Sequence, residues 1–560
     1  RCPLVRVFGK MSKDNNREFA EKTIQSYAAI GVAFVCIVIG IPLWWKTTEV
    51  YRVPLPYSDI DALQVSKVNY KVEFTVVVFE DGWNNVALAK FGAKLKDEFH
   101  NIEFPVNFTQ DIKYEGQMRR PYRDESSVYA KATTLADLDK ALTKLRLIKE
   151  PGKYNIVILP RSSPLLTENA ALGTCRNAFL RAKQDVDLML PLLRHVIRDL
   201  FVDESAIERK MESVLPASHQ KDDKERMRSL SYHPGFTVTF TLLNPQPDIV
   251  DVRWNIKGAV NAFLQPFVNA FKDYTEIVVN SQYLYYTGLN IRPSKHKDGF
   301  SYLLLDSLPH IINPIEAHLG YHVSTNPNLN FIVYIPSADQ SPLLILDQSG
   351  TPSSSNSFLS PRWGGMMIYN MDKPKEGQKL PVKGDVDMSK VMATFLSQMR
   401  LLLGVTPPTS TKGVLIHQPG SLGIAEWELD RWLRGQTLQN IGSSVLTLKS
   451  LIRLLEEVGN IVINDVVGSE VNRAIESIHK CETLLAKGNL NEAFLESRQA
   501  IISSEKAFFD QSLLELLYFP EDQKFAIYIP LFLPVSIPVI LSLLQSLKFL
   551  KNKRKTEKID

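Results

Sequence analysis

Two long uncharged runs, one near each end of the 560-residue chain, limit its possible folds more than any other feature. Tyr27 to Trp45 reads YAAIGVAFVCIVIGIPLWW. At about 1.5 Å of rise per residue, a helix of that length covers roughly one ~30 Å hydrocarbon core. Trp44 and Trp45 end the run and Lys46 follows at once, the order expected at a membrane–water interface. A cleaved signal peptide would be shorter and would end in an A-x-A-like site, which this run lacks. The second run, Phe525 to Leu547, reads FAIYIPLFLPVSIPVILSLLQSL. Residues 27–45 and 525–547 are therefore expected to be transmembrane helices.

Charge sets the expected orientation. Lys548, Lys551, Lys553, Arg554, Lys555 and Lys558 crowd behind the second run, whereas Lys506, Lys524 and several acids precede it. The positive-inside rule places the basic tail 548–560 in the cytosol. Two spans return the N-terminal tail 1–26 to the same side, where Lys13, Arg17 and Lys22 outnumber Lys46 and Arg52. The bulk of the chain, 46–524, is then translocated. The chain opens on Arg1, and Met11 is the expected start, with residues 1–10 read as leader or fragment sequence.

Pro530, Pro534 and Pro538 recur four residues apart inside the second run. Each lacks the amide that would serve a carbonyl four residues earlier, so Ala526, Pro530 and Pro534 lose partners. Steps of four stay close to one helix face, and a bare carbonyl in lipid is costly. That face is expected to meet a partner helix, a polar lipid headgroup or water; local 3₁₀ adjustment of a kinked span is the competing reading.

Between the runs, strand and helix patterns alternate. Val68–Phe79, Tyr154–Leu159, Phe236–Leu243, Glu276–Tyr286, Asn330–Ile335, Leu343–Leu346 and Met366–Tyr369 read as strands. Val86–Phe99, Leu135–Leu147, Asp185–Phe201, Ile256–Phe271 and Val386–Leu403 read as helices. Such alternation predicts an α/β domain, a mixed sheet flanked by helices, over 46–420. From about Trp427 the pattern is helical only, with a hairpin of Ser469–Leu485 and Leu490–Phe509 turned at Gly488-Asn489, giving an α-helical segment over 421–515. Ser307–Pro314 and Leu242–Pro245 read as strand-to-loop punctuation.

Chemistry-bearing motifs are scarce. HExxH, GxSxG, Walker and GxGxxG patterns are absent, so no catalytic residue, metal or cofactor is expected. His318 and His322 near Glu316 lack a third ligand, and Asp385 and Asp387 read as a helix cap before a calcium site. Cys175 and Cys481 are expected as two free buried thiols; pairing would require that they meet in space. The net charge of +4 is modest and no Arg/Lys stripe is interleaved with aromatics, so no nucleic-acid partner is indicated. Asn107-Phe-Thr is the only glycosylation sequon. Ser360-Pro-Arg-Trp-Gly-Gly365 could present Arg362 and Trp363 to a partner, or could be a tight turn with Trp363 in the core.

Four strings, Gly40–Arg52 (GIPLWWKTTEVYR), Ser307–Glu316 (SLPHIINPIE), Ser360–Asn370 (SPRWGGMMIYN) and Leu516–Pro534 (LLYFPEDQKFAIYIPLFLP), resemble the PIG-S family of the glycosylphosphatidylinositol (GPI) transamidase. The likeness runs from about Ile30 over nearly the whole chain and is weakest over Asp81–Glu150. It implies a two-pass α-helical protein of the endoplasmic reticulum membrane with a large lumenal α/β domain. It also implies a non-catalytic scaffold beside a PIG-K-like cysteine protease and the PIG-T, PIG-U and GPAA subunits. That protease supplies the Cys/His chemistry, so the chain itself is expected not to be an enzyme. Pro530, Pro534, Pro538, Arg362 and Trp363 are the candidate contacts to subunits or to the GPI lipid. A free-standing lumenal enzyme acting on glycans or lipids is the alternative. A cargo receptor is the other rival, but the tail Thr556–Asp560 carries no dilysine or KDEL-type ending.

Overall fold

The computed structural model describes residues 20–48, 51–64, 69–100, 112–145, 147–214, 230, 232–304, 307–320, 326–347, 349–375, 377–408, 413–457, 461–515 and 521–556. Two compact units result. One comprises Asp61–Leu446 with Arg473–Ile502; the other comprises Arg1–Ile60, Thr447–Asn472 and Ser503–Asp560.

The first unit carries two large sheets and two small ones, where the sequence pattern predicts a single mixed sheet. The six-stranded sheet uses β1 (Tyr70–Val78), β2 (Ile112–Arg119), β3 (Lys153–Leu159), β4 (Ala170–Leu172), β5 (Asn177–Arg181) and β16 (Val414–Ile416), in the order β16-β4-β5-β3-β1-β2. Strands β2, β1, β3 and β5 are mutually parallel, and β4 turns back antiparallel on β5. The five-stranded sheet uses β6 (Gly235–Asn244), β8 (Glu276–Tyr285), β11 (Asn328–Tyr334), β13 (Ser357–Ser360) and β14 (Gly364–Ile368), in the order β13-β14-β11-β6-β8. Here too the inner strands run parallel, and only the β13–β14 pair is antiparallel. Smaller pieces pair β10 (Ser301–Leu304) with β9 (Ser294–Lys295) and β12 (Leu343–Leu346), and β7 (Val250–Arg253) with β15 (Val382–Asp385).

Parallel strands are covered by helices on both faces, which explains their apolar runs. Strand β3 is buried along Tyr154–Leu159. Strand β6 departs from its sequence reading. Its threonine–apolar alternation predicts one wet face, yet all ten residues are buried. The Thr239 hydroxyl donates to Asn328 Oδ1 at 3.0 Å, and Thr241 Oγ1 accepts from Gln282 Nε2 at 3.0 Å, so the polar positions are satisfied inside.

Other differences have local causes. Asp185–Phe201 is a 3₁₀ turn Val186–Met189, an α segment Leu190–Arg194 and a π segment His195–Val202, with Pro191 opening the α segment. Ser307–Pro314 is largely helix, Pro309–Glu316, because Pro309 occupies the first turn, where no amide is needed. Strand β2 and the helix Arg123–Lys131 fall where the sequence reading was weakest. The helical hairpin is as expected, Asp465–Lys487 and Leu490–Phe508, with Gly488 at φ 83°. Only a residue free of a Cβ takes that turn cheaply.

The second unit holds both apolar helices. Ala20–Leu43 and Phe532–Lys551 are long and apolar enough to cross a membrane. A π segment, Cys36–Gly40, precedes Pro42. It shifts the Ile41 amide to the Cys36 carbonyl, one register beyond the α pattern, and so accommodates the proline below it. The second helix runs unbroken over Glu521–Thr556 with Pro530, Pro534 and Pro538 inside.

Candidate functional site

In doubly wound sheets the usual ligand crevice opens at the carboxyl ends of the strands, where strand order reverses. In the six-stranded sheet this place is filled. Arg120, just past β2, donates to the carbonyls of Val78, Glu80 (2.6 Å) and Trp83. The Glu80 carboxylate accepts from the amides of Gly82 and Arg161, both at 3.1 Å. At the matching end of the five-stranded sheet, a recess of about 330 Å³ including open solvent is lined by Asn244, Gln246, Ile335, Ser341, Asp372 and Lys373 among others. Its amides are already engaged: Asn244 Nδ2 donates to Val250 O at 2.8 Å, Asn244 Oδ1 accepts from Gln246 N, and Gln246 Oε1 accepts from Ala338 N. At both places the polar groups named are engaged by the chain itself.

A buried ionic network holds the start of helix Glu426–Glu457 against the six-stranded sheet. Arg176 donates from Nε and Nη2 to the two Asp430 oxygens at 2.7 and 2.8 Å, and from Nη1 to Glu426 at 2.9 Å. Asp430 also accepts the Gly152 amide at 3.0 Å. Trp427 is fully buried, and its indole donates to Gly173 O at 3.0 Å. Arg434 reaches the Tyr154 hydroxyl at 2.9 Å, Arg400 grips Glu428 at 2.6 Å, and Arg431 pairs with Asp203. Burial presses the Arg176 guanidinium down, but Asp430 and Glu426 outweigh it and hold its pKa above the ordinary value. Sequence reading missed this network. Its signal was in EWELDRWLR, where charges surround two tryptophans on every face, so that no face is purely polar.

The thiols are placed for inertness. Cys175 and Cys481 are free, the former half-buried and the latter buried. Burial, reinforced by Asp139, pushes the Cys175 thiol up to about 11. Cys481 is also raised by burial, and its sulfur donates to Ala493 O at 3.0 Å. Asp387 caps the helix Met388–Leu402 by accepting from the Ser389 and Lys390 amides, while Asp385 pairs with Arg253. No group of three His, Cys, Asp or Glu suited to a metal occurs among the described residues. His322 and Asn107 lie outside the described residues.

The Ser360–Gly365 turn sends its two large side chains different ways. Arg362 sits exposed in the left-handed region at φ 60°. Trp363 is half-buried against the cluster of Leu308, Ile311, Ile315 and Met366. The paired glycines are required: a Cβ at Gly364 would lie 1.9 Å from Asn330 O, and one at Gly365 would lie 1.9 Å from Gln398 Oε1.

In the second unit, the stretch leaving the first apolar helix is clamped. Arg52 donates to Ile461 O at 3.0 Å and Leu455 O at 3.2 Å, Tyr51 donates to Asp465 at 3.0 Å, and Val53 N bonds Ile463 O. Lys46 is exposed, as are Pro530, Pro534 and Pro538; Trp44 and Trp45 lie in the helix Ile41–Thr48.

These features define a class: an α/β protein on two doubly wound sheets, with a long apolar helix toward each end. The chain belongs to the PIG-S family; the profile described as phosphatidylinositol-glycan biosynthesis class S protein matches residues 31–553. It is 40% identical to the GPI-anchor transamidase component PIGS of Homo sapiens over 544 residues, covering 95% of this chain and 97% of that one. The Rattus norvegicus protein of the same name is likewise 40% identical, over 95% and 97%. The GPI transamidase component PIG-S homolog of Schizosaccharomyces pombe is 22% identical over 96% and 87%.

Proposed function

We propose that this chain is a non-catalytic, positioning subunit of the GPI transamidase, supporting attachment of preassembled GPI to proprotein C-termini. The observation that carries the reading is the end-to-end likeness to proteins named as components of that enzyme. The raised thiols of Cys175 and Cys481 support it, since a nucleophilic cysteine needs a depressed pKa. The catalytic thiolate then belongs to a PIG-K-like partner, with PIG-T, PIG-U and GPAA subunits completing the assembly. The two spans anchor the chain in the endoplasmic reticulum membrane with both tails cytosolic and residues 46–524 lumenal, as the basic tail 548–560 favours. The α/β domain 46–420 and the helical segment 421–515 act as the scaffold. Arg362 and the Pro530–Pro538 face supply contacts to subunits or lipid. Holding a propeptide, a lipid headgroup and a protease at one height above the bilayer lowers the entropy cost of their reaction.

Complementation tests this. In cells lacking the chain, surface GPI-anchored protein is expected to fall and to recover equally with wild type and with the Cys175→Ser/Cys481→Ser double variant. A double variant that accumulates normally yet restores nothing refutes the non-catalytic reading. Protease protection of microsomes tests the topology: digestion of residues 46–524 from outside overturns it.

A further inference from the structure

Sheet edges expose unpaired N–H and C=O groups, and proteins blunt them with short strands, charge or proline. Three of the four edges of the two large sheets follow this rule. Strand β16 has three residues and β13 has four; β2 carries Lys113, Glu115 and Arg119. Strand β8 does not follow it. It runs for ten residues, EIVVNSQYLY, without proline, and its only charge is Glu276 at the start. It pairs with β6 alone, in unbroken register from Gly235↔Glu276 to Asn244↔Tyr285.

The direction of its free groups follows from its two ends. Glu276 N donates to Pro234 O at 2.9 Å, and Tyr286 N donates to Asn244 O at 3.0 Å. Even-numbered peptide groups therefore face β6, and the odd ones face outward. Ile277, Val279, Ser281 and Tyr283 present both N–H and C=O with no hydrogen-bond partner among the described residues. Tyr285 presents its N–H, its carbonyl accepting from Thr287 Oγ1 at 3.3 Å. The side chains are equally open: Val278 is 40% exposed and Tyr283 and Tyr285 46% each. The two tyrosine rings lie 6.1 Å apart, and Tyr283 meets Trp254 edge-on at 5.8 Å, a preorganised aromatic strip.

We propose that the outer edge of β8 docks an extended segment of another transamidase subunit, which adds a strand to the five-stranded sheet with apolar residues over Tyr283 and Tyr285 and a basic residue beside Glu276. The proposal rests on the assembly role proposed above. The backbone pattern calls for an extended peptide, because only a strand satisfies outward amides at every second residue. Charge selects a different chain over a second copy. A two-fold antiparallel pairing of β8 with itself, centred on Ser281, would bring each exposed Glu276 opposite Tyr286, which leaves the strand at φ 59°, and β8 has no basic residue to face it; a different chain can supply one.

The test uses the full chain expressed with the transamidase subunits and recovered in mild detergent. Ser281→Pro deletes an outward amide and no bond to β6, so the chain is expected to stay folded. Recovery of at least one other subunit should drop about tenfold or more. A photocrosslinker at Tyr283 in the otherwise wild-type chain should join it to that same subunit, whereas one at Lys113 on the β2 edge should not. If wild type recovers the subunits and Ser281→Pro recovers them equally, the edge inference fails and the positioning role stands. A Tyr283 crosslink to a second copy, or to no other subunit, also overturns the inference. If wild type itself recovers no transamidase subunit, both readings fall.

Discussion

Removing Asp430 should unfasten the long helix from the six-stranded sheet. Its carboxylate is fully buried, that of Glu426 is 46% exposed, and the Arg176 side chain is 9% exposed. Asp430→Ala therefore leaves a buried guanidinium with one half-wet carboxylate and the Lys149 carbonyl, and strands the Gly152 amide. Breaking a buried pair from one side costs about 3–5 kcal/mol. The orphaned amide adds about 1–3 kcal/mol, and Glu426 recovers a part of the total. A loss of about 4 kcal/mol is expected, read from urea titration of the detergent-solubilised chain by near-ultraviolet circular dichroism. The counterpart is Arg176→Met/Asp430→Leu, which removes both charges and keeps the volume. It should cost about 2 kcal/mol less than Asp430→Ala, because no buried charge is left unpaired and Glu426, which loses Arg176, is 46% exposed. An Asp430→Ala loss below about 1 kcal/mol, or a double variant as damaged as the sum of its singles, would refute the reasoning.

Gly364→Ala should be severely destabilising, by at least about 3 kcal/mol, since its Cβ would meet a backbone carbonyl that cannot move aside; Gly288→Ala, with open space at its Cβ, is the control. Differential scanning fluorimetry distinguishes them. The stem of Lys210 is half-exposed but its ammonium tip is buried, which pushes its pKa down to about 8 from 10.5. Below pH 8 both folded and unfolded chains carry the proton, and the folded one bears the cost. Between pH 8 and 10.5 the unfolded chain binds more protons, so stability should rise with pH by at most about 3 kcal/mol. Lys210→Met should flatten that rise, as read from denaturation midpoints across the range. Cys175, with its thiol near 11, should alkylate slowly at pH 7.5 and faster toward pH 11, whereas Cys481 should react only after unfolding; mass spectrometry of iodoacetamide-treated chain reads both.

Much of the fold was written in local pattern. The runs at Tyr154–Leu159 and Asn330–Ile335 declare buried parallel strands through unbroken apolar sequence, and Gly488-Asn489 marks its hairpin by turn chemistry. What stayed hidden depended on partners distant in sequence. Thr237, Thr239 and Thr241 look like a wet face until Asn328 and Gln282 arrive beside them. Arg176 and Asp430 stand 254 positions apart, and no spacing rule reaches that far. Arg362 and Trp363 were legible as a turn, but that Trp363 is the half-buried one depends on Leu308, Ile311 and Ile315, distant in sequence. Short strands such as β4 and β16 are set by neighbours already in place, and three residues are too few to show a period.

The same polar groups that escape a sequence reading bear on the proposed positioning role. Doubly wound sheets invite ligands at their carboxyl ends because strand carbonyls and helix amides fan apart there. Arg120 takes up three carbonyls at one such fan, and the amides of Asn244 and Gln246 are already engaged at the other. With those polar groups engaged, unused hydrogen-bonding capacity lies at the rim, where β8 carries it without a partner among the described residues. Charge placed at that rim tests the exchange. Val279→Lys should leave monomer stability within about 1 kcal/mol, because Val279 is only half-buried on an edge, yet it should lower subunit recovery as Ser281→Pro does. A Val279→Lys chain that unfolds outright would show that the edge is part of the core, and one that assembles normally would show that the rim is idle.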